Sequence, residues 1–331
     1  MGLYEDKLII ITGGAGFIGS GVLRYLNDQG MGKNLVIVDE MGKTAKWKNL
    51  VNKKFSEFIP KQKLFSWLEG RESELSAFIH LGACSDTTEL DADYLMENNY
   101  RFTIDLAEYA LEHELRFIYA SSAATYGDGS RGFQDNHDTL EELQPLNMYG
   151  FSKHLFDLWA KEQGVLNSLV GLKYFNVFGP NEGHKGPMAS AITKMVPDLL
   201  SQGTINLFKS TEPQKYGDGE QCRDFIYVKD AVRMTCAFLE NEEGGIFNVG
   251  MGKPSTWNQL ANSVIGALGK KGMSIKYIDM PQKLLGKYQN YTCADMSKCQ
   301  AIFGKDFVES TSLEDAVREY VCDFLLKEKL W

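Results

Sequence analysis

Tyr149 and Lys153 stand four positions apart, and their side chains are suited to moving a proton. The apolar residues that follow predict a helix, on which this spacing puts both side chains on one face. A tyrosine phenol has an unperturbed pKa of about 10, too high for a base at neutral pH. A lysine ammonium one turn away favours the phenolate, and we expect it to lower the tyrosine pKa by about 1–3 units. The pair therefore indicates a general base for an alcohol.

Ser122 is the third candidate catalytic residue. Together with Ser121 it follows a short apolar strand at residues 116–119. Ligands bind at the carboxyl ends of such strands, so the Ser122 hydroxyl can bond the same substrate oxygen as Tyr149. Tyr149 would take a proton from an alcohol while a hydride leaves its carbon for a nicotinamide, and Lys153 would bond the nicotinamide ribose. A Tyr-x-x-x-Lys spacing alone is common. The alternative to a catalytic role is that Tyr149 and Lys153 are only a side-chain pair on a helix surface.

A glycine-rich turn near the start of the chain supplies the context for this chemistry. The stretch 12–19 lies between an apolar strand at 8–11 and an amphipathic run from Val22. Gly13 is required by the tight turn, Gly16 by the approach of a pyrophosphate, and Gly19 by helix packing against the strand. The helix start then faces the anion with free N–H groups. The turn predicts dinucleotide binding, against the alternative of a purely structural turn.

An acidic residue at the end of the second strand predicts which nucleotide binds. Asp39 follows the strand 35–38 and lies 20 residues past Gly19, where an acid bonds the adenosine ribose. This position favours NAD. Lys43, Lys46 and Lys48 follow at once, and one of them could neutralise a 2′-phosphate, so NADP stays open. The alternative for Asp39 is an ordinary residue at a strand end. The alternative for the three lysines is a solvated loop with no role in binding.

The alternation of strands and helices up to about residue 177 predicts a parallel sheet covered on both faces. We predict an α/β fold, a doubly wound parallel sheet of the Rossmann type, with a smaller C-terminal substrate-binding lobe. The dinucleotide-binding domain would comprise residues 1–177 plus about 223–250, and the lobe about 178–222 plus 251–331. Helices are predicted at about 91–110 and 312–326, and a strand at 223–228. Residues 47–74 show no clear pattern.

Composition excludes several other classes of protein. The net charge of −9 and the lack of a long Lys/Arg block argue against nucleic acid as a partner. No apolar run approaches the roughly 18 residues that cross a bilayer. The six scattered cysteines form no C-x-x-C pair, and no leader precedes the first strand, so we expect reduced thiols in a cytoplasmic protein. No metal site is predicted.

These motifs together resemble the extended short-chain dehydrogenase/reductase family, whose members act on nucleotide sugars. The matching stretches are 12–19, 121–127, Tyr149-x-x-x-Lys153, 223–228 and 247–250. The stretches 82–89, 174–180 and 182–186 resemble, more narrowly, the ADP-L-glycero-D-manno-heptose 6-epimerases. That family converts ADP-D-glycero-D-manno-heptose to its L-glycero epimer, at C6'', for lipopolysaccharide core synthesis.

The resemblance implies NADP as the cofactor, with NAD possible, and Lys46 as the contact of the 2′-phosphate. It also implies a second acid/base, Lys185, because a ketone that takes hydride back on its other face presents its oxygen in a different place. A lysine base must be partly neutral, which burial can achieve. The candidate cofactor-binding residues are Gly13, Gly16, Phe17, Ile18, Gly19, Asp39, Glu40, Lys46, Leu81, Gly82, Ala83, Cys84, Ser85, Asn98, Lys153 and Val177.

The substrate site is implied in the same way. Arg223 would clamp the pyrophosphate through its guanidinium fork, and Asn176 would bond the sugar. The candidate substrate-binding residues are Ser122, Asn176, Pro187, Lys194, Phe208, Lys209, Ser210, Arg223 and Tyr288. Pro187 stands where a small hydroxyl residue is expected, and Lys194 where histidine is expected, so these two depart from the pattern.

Three other functions are known for proteins with similar motifs. A dehydratase would place acids after the strand-end serine, where this chain has Ala123 and Ala124. A UDP-sugar 4-epimerase shares the serine, tyrosine and lysine but does not call for a second base. A non-catalytic NAD(P)-sensing protein typically loses the tyrosine or the lysine, and both are present. We therefore expect an NADP-dependent epimerase of ADP-heptose, acting as a homo-oligomer.

Overall fold

The computed structural model describes residues 7–282 and 288–331. Thirteen β-strands lie in this part of the chain: β1 Leu8–Thr12, β2 Leu35–Asp39, β3 Glu57–Pro60, β4 Leu75–His80, β5 Arg116–Ser122, β6 Val170–Tyr174, β7 Asn176–Phe178, β8 Thr204–Phe208, β9 Cys222–Arg223, β10 Phe225–Tyr227, β11 Gly245–Val249, β12 Ser255–Thr256 and β13 Ser274–Ile278. The α-helices of the same part are α1 Phe17–Asp28, α2 Leu64–Leu68, α3 Ala92–Leu95, α4 Phe102–Glu112, α5 Met148–Glu162, α6 Ala191–Gln202, α7 Val228–Ala237, α8 Trp257–Leu268, α9 Ser297–Phe303, α10 Lys305–Val308 and α11 Leu313–Glu319.

A seven-stranded parallel sheet in the order β11-β6-β5-β4-β1-β2-β3 forms the centre of the molecule. Ile10 of β1 lies opposite Val36 of β2 on one side and Phe78 of β4 on the other. β2, β6 and β11 are buried along their whole length. Strands covered on both faces read as continuous apolar runs, which is why the sequence predicts them well. The predicted doubly wound fold is confirmed.

Three two-stranded sheets lie outside the central sheet in the described part of the chain. β8 and β13 form a parallel pair, β9 and β12 an antiparallel one, and β7 and β10 another parallel one. Helix α8 begins with a capping box between Thr256 and Gln259. We propose the division into two domains that the sequence suggested, with β11 returning to the central sheet from residues 223–250. Among the described residues, none of the helices has the length and apolarity needed to cross a membrane.

Three predicted elements differ from the structure. The helix expected at 91–110 consists of α3, a π-helical segment Met96–Arg101, and α4. The helix expected at 312–326 is α11 followed by a π-helical segment Tyr320–Leu325. A π-segment inserts a residue into the turn, and a search for 3.6-residue periodicity does not detect it. The strand expected at 223–228 is divided into β9 and β10, and its last residue starts α7.

Candidate active site

The glycine turn between β1 and α1 is built as the sequence predicted. Gly13 has a φ of +66°, and a Cβ there would lie 2.7 Å from the backbone of Gly82. A Cβ on Gly19 would lie 2.2 Å from the Gly13 carbonyl oxygen, so Gly19 is required by the turn itself. The turn and the loop after β4 therefore touch backbone to backbone. This close approach leaves the amino end of α1 open toward a cavity.

A cavity of about 650 Å³ lies at the carboxyl ends of the central strands. Ser122, Tyr149, Lys153 and Lys185 all line it. The predicted cofactor-binding residues that line it are Gly13, Gly16, Phe17, Ile18, Gly19, Asp39, Lys46, Leu81, Gly82, Ala83, Ser85, Lys153 and Val177. The fold thus brings the four catalytic candidates and most of the cofactor candidates to the lining of one cavity.

A second cavity of about 320 Å³ adjoins the first and shares Gly13, Asp39 and Lys46 with it. The remaining cofactor candidates, Glu40, Cys84 and Asn98, line this second cavity. The glycine turn opens onto these two adjoining cavities, and a side chain in the turn would block the opening. This shape fits an elongated dinucleotide. The residues present therefore fit NAD or NADP.

Asp39 holds the glycine turn and Lys46 at the same time. Its Oδ2 accepts from the Ala15 N–H at 2.8 Å, and its Oδ1 accepts from the Lys46 ammonium at 2.6 Å. The backbone N–H of Glu40 also donates to Oδ1, at 2.7 Å. The charge of the carboxylate is thus offset by a lysine at the cavity wall. The sequence placed both residues here but did not indicate that they pair.

Tyr149 and Lys153 lie on α5, whose amino end is capped by Asn147 accepting from the Gly150 N–H at 2.8 Å. Burial lowers the pKa of Lys153 to about 8. Burial also raises the pKa of Tyr149, while the hydrogen bond with Ser122 acts in the lowering direction. The expected lowering of the Tyr149 pKa is therefore wrong. The reason is that loss of water destabilises the phenolate more than its neighbours stabilise it.

Asn99, which the sequence analysis missed, connects the cofactor loop to the catalytic helix. Its Nδ2 donates to the Cys84 carbonyl at 2.9 Å and to the Ser152 Oγ at 3.1 Å. Its Oδ1 accepts from the Cys84 N–H at 2.9 Å. Asn99 is fully buried in the π-helical segment, where the wider turn changes which residues face inward. A polar residue in a predicted helix next to Asn98 was the only sequence signal.

Lys61 is a second residue that the sequence did not indicate. It lines the smaller cavity, donates to the Asn98 Oδ1, and lies 4.3 Å above the Phe102 ring. Burial lowers the pKa of Lys61, and Glu40 and Glu97 act in the opposite direction. The region 47–74 that contains it lacked a periodic pattern. Asn98 thus lies at the predicted cofactor cavity but with its amide oxygen already bonded.

The candidates for the nucleotide end of the substrate are only partly brought together. Arg223 is buried, with its guanidinium 4.7 Å from the Tyr288 ring and 6.0 Å from the Trp257 ring. Phe208 meets Tyr288 edge to face at 6.4 Å. Trp257, which the sequence analysis missed, lines the larger cavity and connects this cluster to it. Residues 283–287, which precede Tyr288, lie outside the described part of the chain.

Lys209 and Ser210 lie outside this cluster of aromatic rings. The Lys209 ammonium pairs with Asp279 at 2.9 Å on the surface. The Ser210 N–H donates to Asp218 at 2.9 Å. These two residues therefore stay predictions for substrate binding.

On the sugar side, Asn176 lines the larger cavity and is exposed. Lys185 lines it too, with its ammonium 5.6 Å above the Phe17 ring, and burial lowers its pKa. Lys194 is exposed and donates to the Pro187 carbonyl at 2.8 Å, and neither residue is part of the lining of the two cavities. The two departures from the family pattern thus bond to each other at the surface.

A fully buried ion pair lies behind the catalytic helix. The Lys173 ammonium on β6 donates to Asp157 Oδ2 on α5 at 2.7 Å and to Thr125 at 2.6 Å. Tyr119 and Ser121 on β5 donate to the same carboxylate at 2.9 and 2.8 Å. All donors to this carboxylate come from strands beside the site. The cluster therefore fixes α5, and with it Tyr149, against the sheet.

Replacing Lys173 with methionine is expected to lower the free energy of unfolding by about 3–5 kcal/mol, because Asp157 would remain buried without a cation. Urea unfolding followed by fluorescence measures this change. Adding Asp157→Leu to the same chain should recover part of the loss. A single variant within about 0.5 kcal/mol of wild type, as for a surface change, would contradict this account.

Comparison with known proteins agrees with this geometry. Residues 9–250 match the model of the NAD dependent epimerase/dehydratase family. The chain belongs to this family, as its motifs predicted. It is 48% identical over 321 residues to the ADP-L-glycero-D-manno-heptose-6-epimerase of Nitratidesulfovibrio vulgaris (strain DP4), covering 96% of this chain and 98% of that one.

Two solved structures share the fold at full length. The ADP-L-glycero-D-manno-heptose-6-epimerase of Helicobacter pylori is 28% identical, with a TM-score of 0.80 and 96% of each chain covered. The UDP-glucose 4-epimerase of Thermotoga maritima, solved with UDP-glucose, is 26% identical, with a TM-score of 0.76 and 97% and 99% covered. The narrower resemblance that the sequence motifs indicated is thus confirmed by named relatives.

Proposed function

We propose that the chain inverts C6'' of ADP-D-glycero-D-manno-heptose to give ADP-L-glycero-D-manno-heptose, through a transient ketone and with bound NADP. The observation that carries this proposal is the presence of two proton-handling side chains, Tyr149 and Lys185, on one cavity. The relatives named above support the choice of substrate. The UDP-sugar 4-epimerases share the fold but need only the first of these two groups.

The nicotinamide cofactor, when bound, supplies the acceptor and donor of the hydride. The glycine turn and the loop after β4 would hold its phosphates and ribose, and Lys153 would bond the nicotinamide ribose. Lys153 is suited to this because it is buried on the same helix face as Tyr149. These residues orient the reacting carbon and exclude water from it.

Tyr149 and Ser122 handle the oxygen of the substrate alcohol. Tyr149 in its phenolate form receives the alcohol proton and becomes a phenol as the C–O bond becomes a carbonyl, and the Ser122 hydroxyl bonds the same oxygen. After the ketone has turned, its oxygen lies away from Tyr149 and needs another donor. The Lys185 ammonium fits this task, because burial lowers its pKa and brings its two protonation states closer in energy. In this way C6'' loses a hydride from one face and regains it on the other, so its configuration is inverted.

Lys46 makes a testable contribution to cofactor choice. Lys46→Ala is expected to weaken NADP binding by about tenfold or more, since a charge-assisted bond to phosphate contributes about 1.5–3 kcal/mol. NAD should be affected much less, because it lacks the 2′-phosphate. Titration of intrinsic fluorescence with each nucleotide measures both affinities. Lys48→Ala, an exposed neighbour, is the control.

If Lys46→Ala weakened the binding of NADP and NAD equally, the proposed role of Lys46 as the phosphate contact would be contradicted. The pairing of Lys46 with Asp39 adds a second reason for the expected asymmetry. With the lysine removed, the Asp39 charge would be left uncompensated next to the phosphate and would repel it.

Separate incubation with ADP-D-glycero-D-manno-heptose and UDP-galactose tests the function directly. We expect epimerisation of the ADP-heptose and no conversion of UDP-galactose, followed by NMR of the sugar. The reverse result would identify a UDP-sugar 4-epimerase. If neither is converted although the cofactor binds tightly, the chain is a cofactor-sensing protein instead.

A further inference from the structure

The loop of residues 183–189, between Glu182 and Ser190, carries Lys185 and has open space beside both of its glycines. A Cβ added at Gly183 or Gly186 would meet no described atom within 4 Å, and Gly186 has a φ of +54°. Both glycines are exposed. Within the loop, the His184 ring lies 3.0 Å from the Asn181 carbonyl oxygen, and the Pro187 carbonyl accepts from Lys194 at 2.8 Å. More hydrogen bonds hold the two ends of the loop.

The two ends are joined by one buried side chain. Glu182 is 1% exposed, and its Oε2 accepts from the Ser190 N–H at 2.6 Å. Its Oε1 accepts from the Ser190 hydroxyl at 2.6 Å and from the Tyr320 hydroxyl at 2.9 Å. The carboxylate thus closes a ring around the loop and attaches it to the π-helical segment after α11. A carboxylate suits the task because it offers only acceptors to these donors.

The residue before Glu182 is anchored independently. Asn181 is buried and adopts a φ of +76°, which is uncommon for a residue other than glycine. Its Nδ2 donates to the Ser20 hydroxyl on α1 at 3.0 Å, and its Oδ1 accepts from the Trp331 N–H at 2.9 Å. Its carbonyl accepts from Asn49 at 3.1 Å. The amino end of the loop is therefore tied to the same helix that follows the glycine turn.

We propose that Glu182 is a positioning residue: by fastening both ends of the loop 183–189 it holds the Lys185 ammonium at the cavity. Its importance for catalysis rests on the proposed function of Lys185. The charged and titratable groups that the described residues place around the loop are Glu182, His184, Tyr320, Lys46, Asp39 and Lys194. Burial is the larger influence on the pKa of Lys185 and lowers it, while the Glu182 charge raises it.

Glu182→Ala tests the proposal without any substrate. The rate at which an amine-reactive acetylating reagent modifies Lys185 is followed against pH by peptide mass spectrometry. In the wild type the midpoint should lie below that of an ordinary lysine. In the variant the released loop exposes Lys185 to water, so the midpoint should rise, because regained hydration outweighs the lost negative charge. Ser201→Ala on α6 is the control, since its hydroxyl bonds only within that helix.

Turnover provides the second readout. Glu182→Ala should lower kcat for ADP-heptose about 10–100-fold with KM little changed, as expected when a reacting group is displaced by about 1 Å. If this variant fails to fold, Ser190→Ala combined with Tyr320→Phe removes two donors to the carboxylate and should shift the midpoint in the same direction. An unchanged midpoint in whichever variant folds would overturn the proposal. A wild type that leaves ADP-heptose unchanged would instead refute the proposed function, while the labelling result would stand.

Discussion

Replacing Tyr149 with phenylalanine is expected to lower kcat for epimerisation of ADP-heptose by about 10²–10⁴-fold, the usual contribution of a general acid/base. The change removes one oxygen atom and keeps the ring that lines the cavity. Cofactor affinity should stay close to wild type, because Lys153 and the glycine turn are intact. Steady-state kinetics and fluorescence titration with NADP measure the two quantities.

Tyr109→Phe is the matched control for this variant. The Tyr109 hydroxyl lies 3.5 Å from the Leu68 carbonyl, between α4 and α2, away from the site. Its removal should leave kcat unchanged. Activity of Tyr149→Phe near the wild-type level would show that another group takes the alcohol proton, and the assignment of the first base would then be wrong.

Lys185→Ala is expected to produce a loss of similar size, about 10²–10⁴-fold in kcat, because the turned ketone would lack its proton donor. The pH profile should change with it. A lysine donates a proton only as the ammonium, so the wild-type rate should fall as pH rises through the lowered pKa of Lys185. In the variant this falling limb should disappear. Kinetics at a series of pH values measure both effects.

Lys276→Ala provides the corresponding control, since Lys276 is exposed on β13. Its rate and pH profile should match the wild type. A Lys185→Ala enzyme that retains the wild-type rate would contradict the two-base mechanism and would favour an epimerase that uses Tyr149 alone. The two variants together therefore separate the first proton transfer from the second.

Much of the fold could be predicted because it depends on local patterns. Strands β2, β6 and β11 are buried along their whole length and appear as apolar runs. A Cβ on Gly19 of the glycine turn would lie 2.2 Å from the Gly13 carbonyl oxygen, so glycine is required there. The four catalytic candidates named from the sequence, Ser122, Tyr149, Lys153 and Lys185, line one cavity. Strand ends and helix starts of a parallel sheet converge on one edge, so residues far apart in the chain, such as Ser122 and Lys46, are brought to it.

The connections between these residues could not be predicted. Asn99 reaches Cys84 and Ser152 only because a π-helical turn shifts which residues face inward. Glu182 appears in the sequence as an ordinary loop acid, and its buried hydrogen bond with Tyr320 depends on where that residue arrives from the far end of the chain. Such long-range contacts leave no trace in a single sequence.

The protonation states of the catalytic side chains could not be predicted from the sequence either. The spacing of Tyr149 and Lys153 suggested a lowered tyrosine pKa, whereas burial raises it in the folded protein. Spacing identifies which groups are neighbours, but the amount of water that each group loses depends on the complete fold. A site can therefore be located from motifs while its acid/base balance requires the structure.

The fate of the hydrogen at C6'' is the most direct test of this account. ADP-D-glycero-D-manno-heptose carrying deuterium at C6'' is converted in ordinary water, and the product is examined by NMR and mass spectrometry. We predict that the L-glycero product keeps its deuterium, since the hydride is removed and returned within one closed site. A product with hydrogen from water at C6'' would contradict the account, because it would require exchange of that hydrogen with solvent.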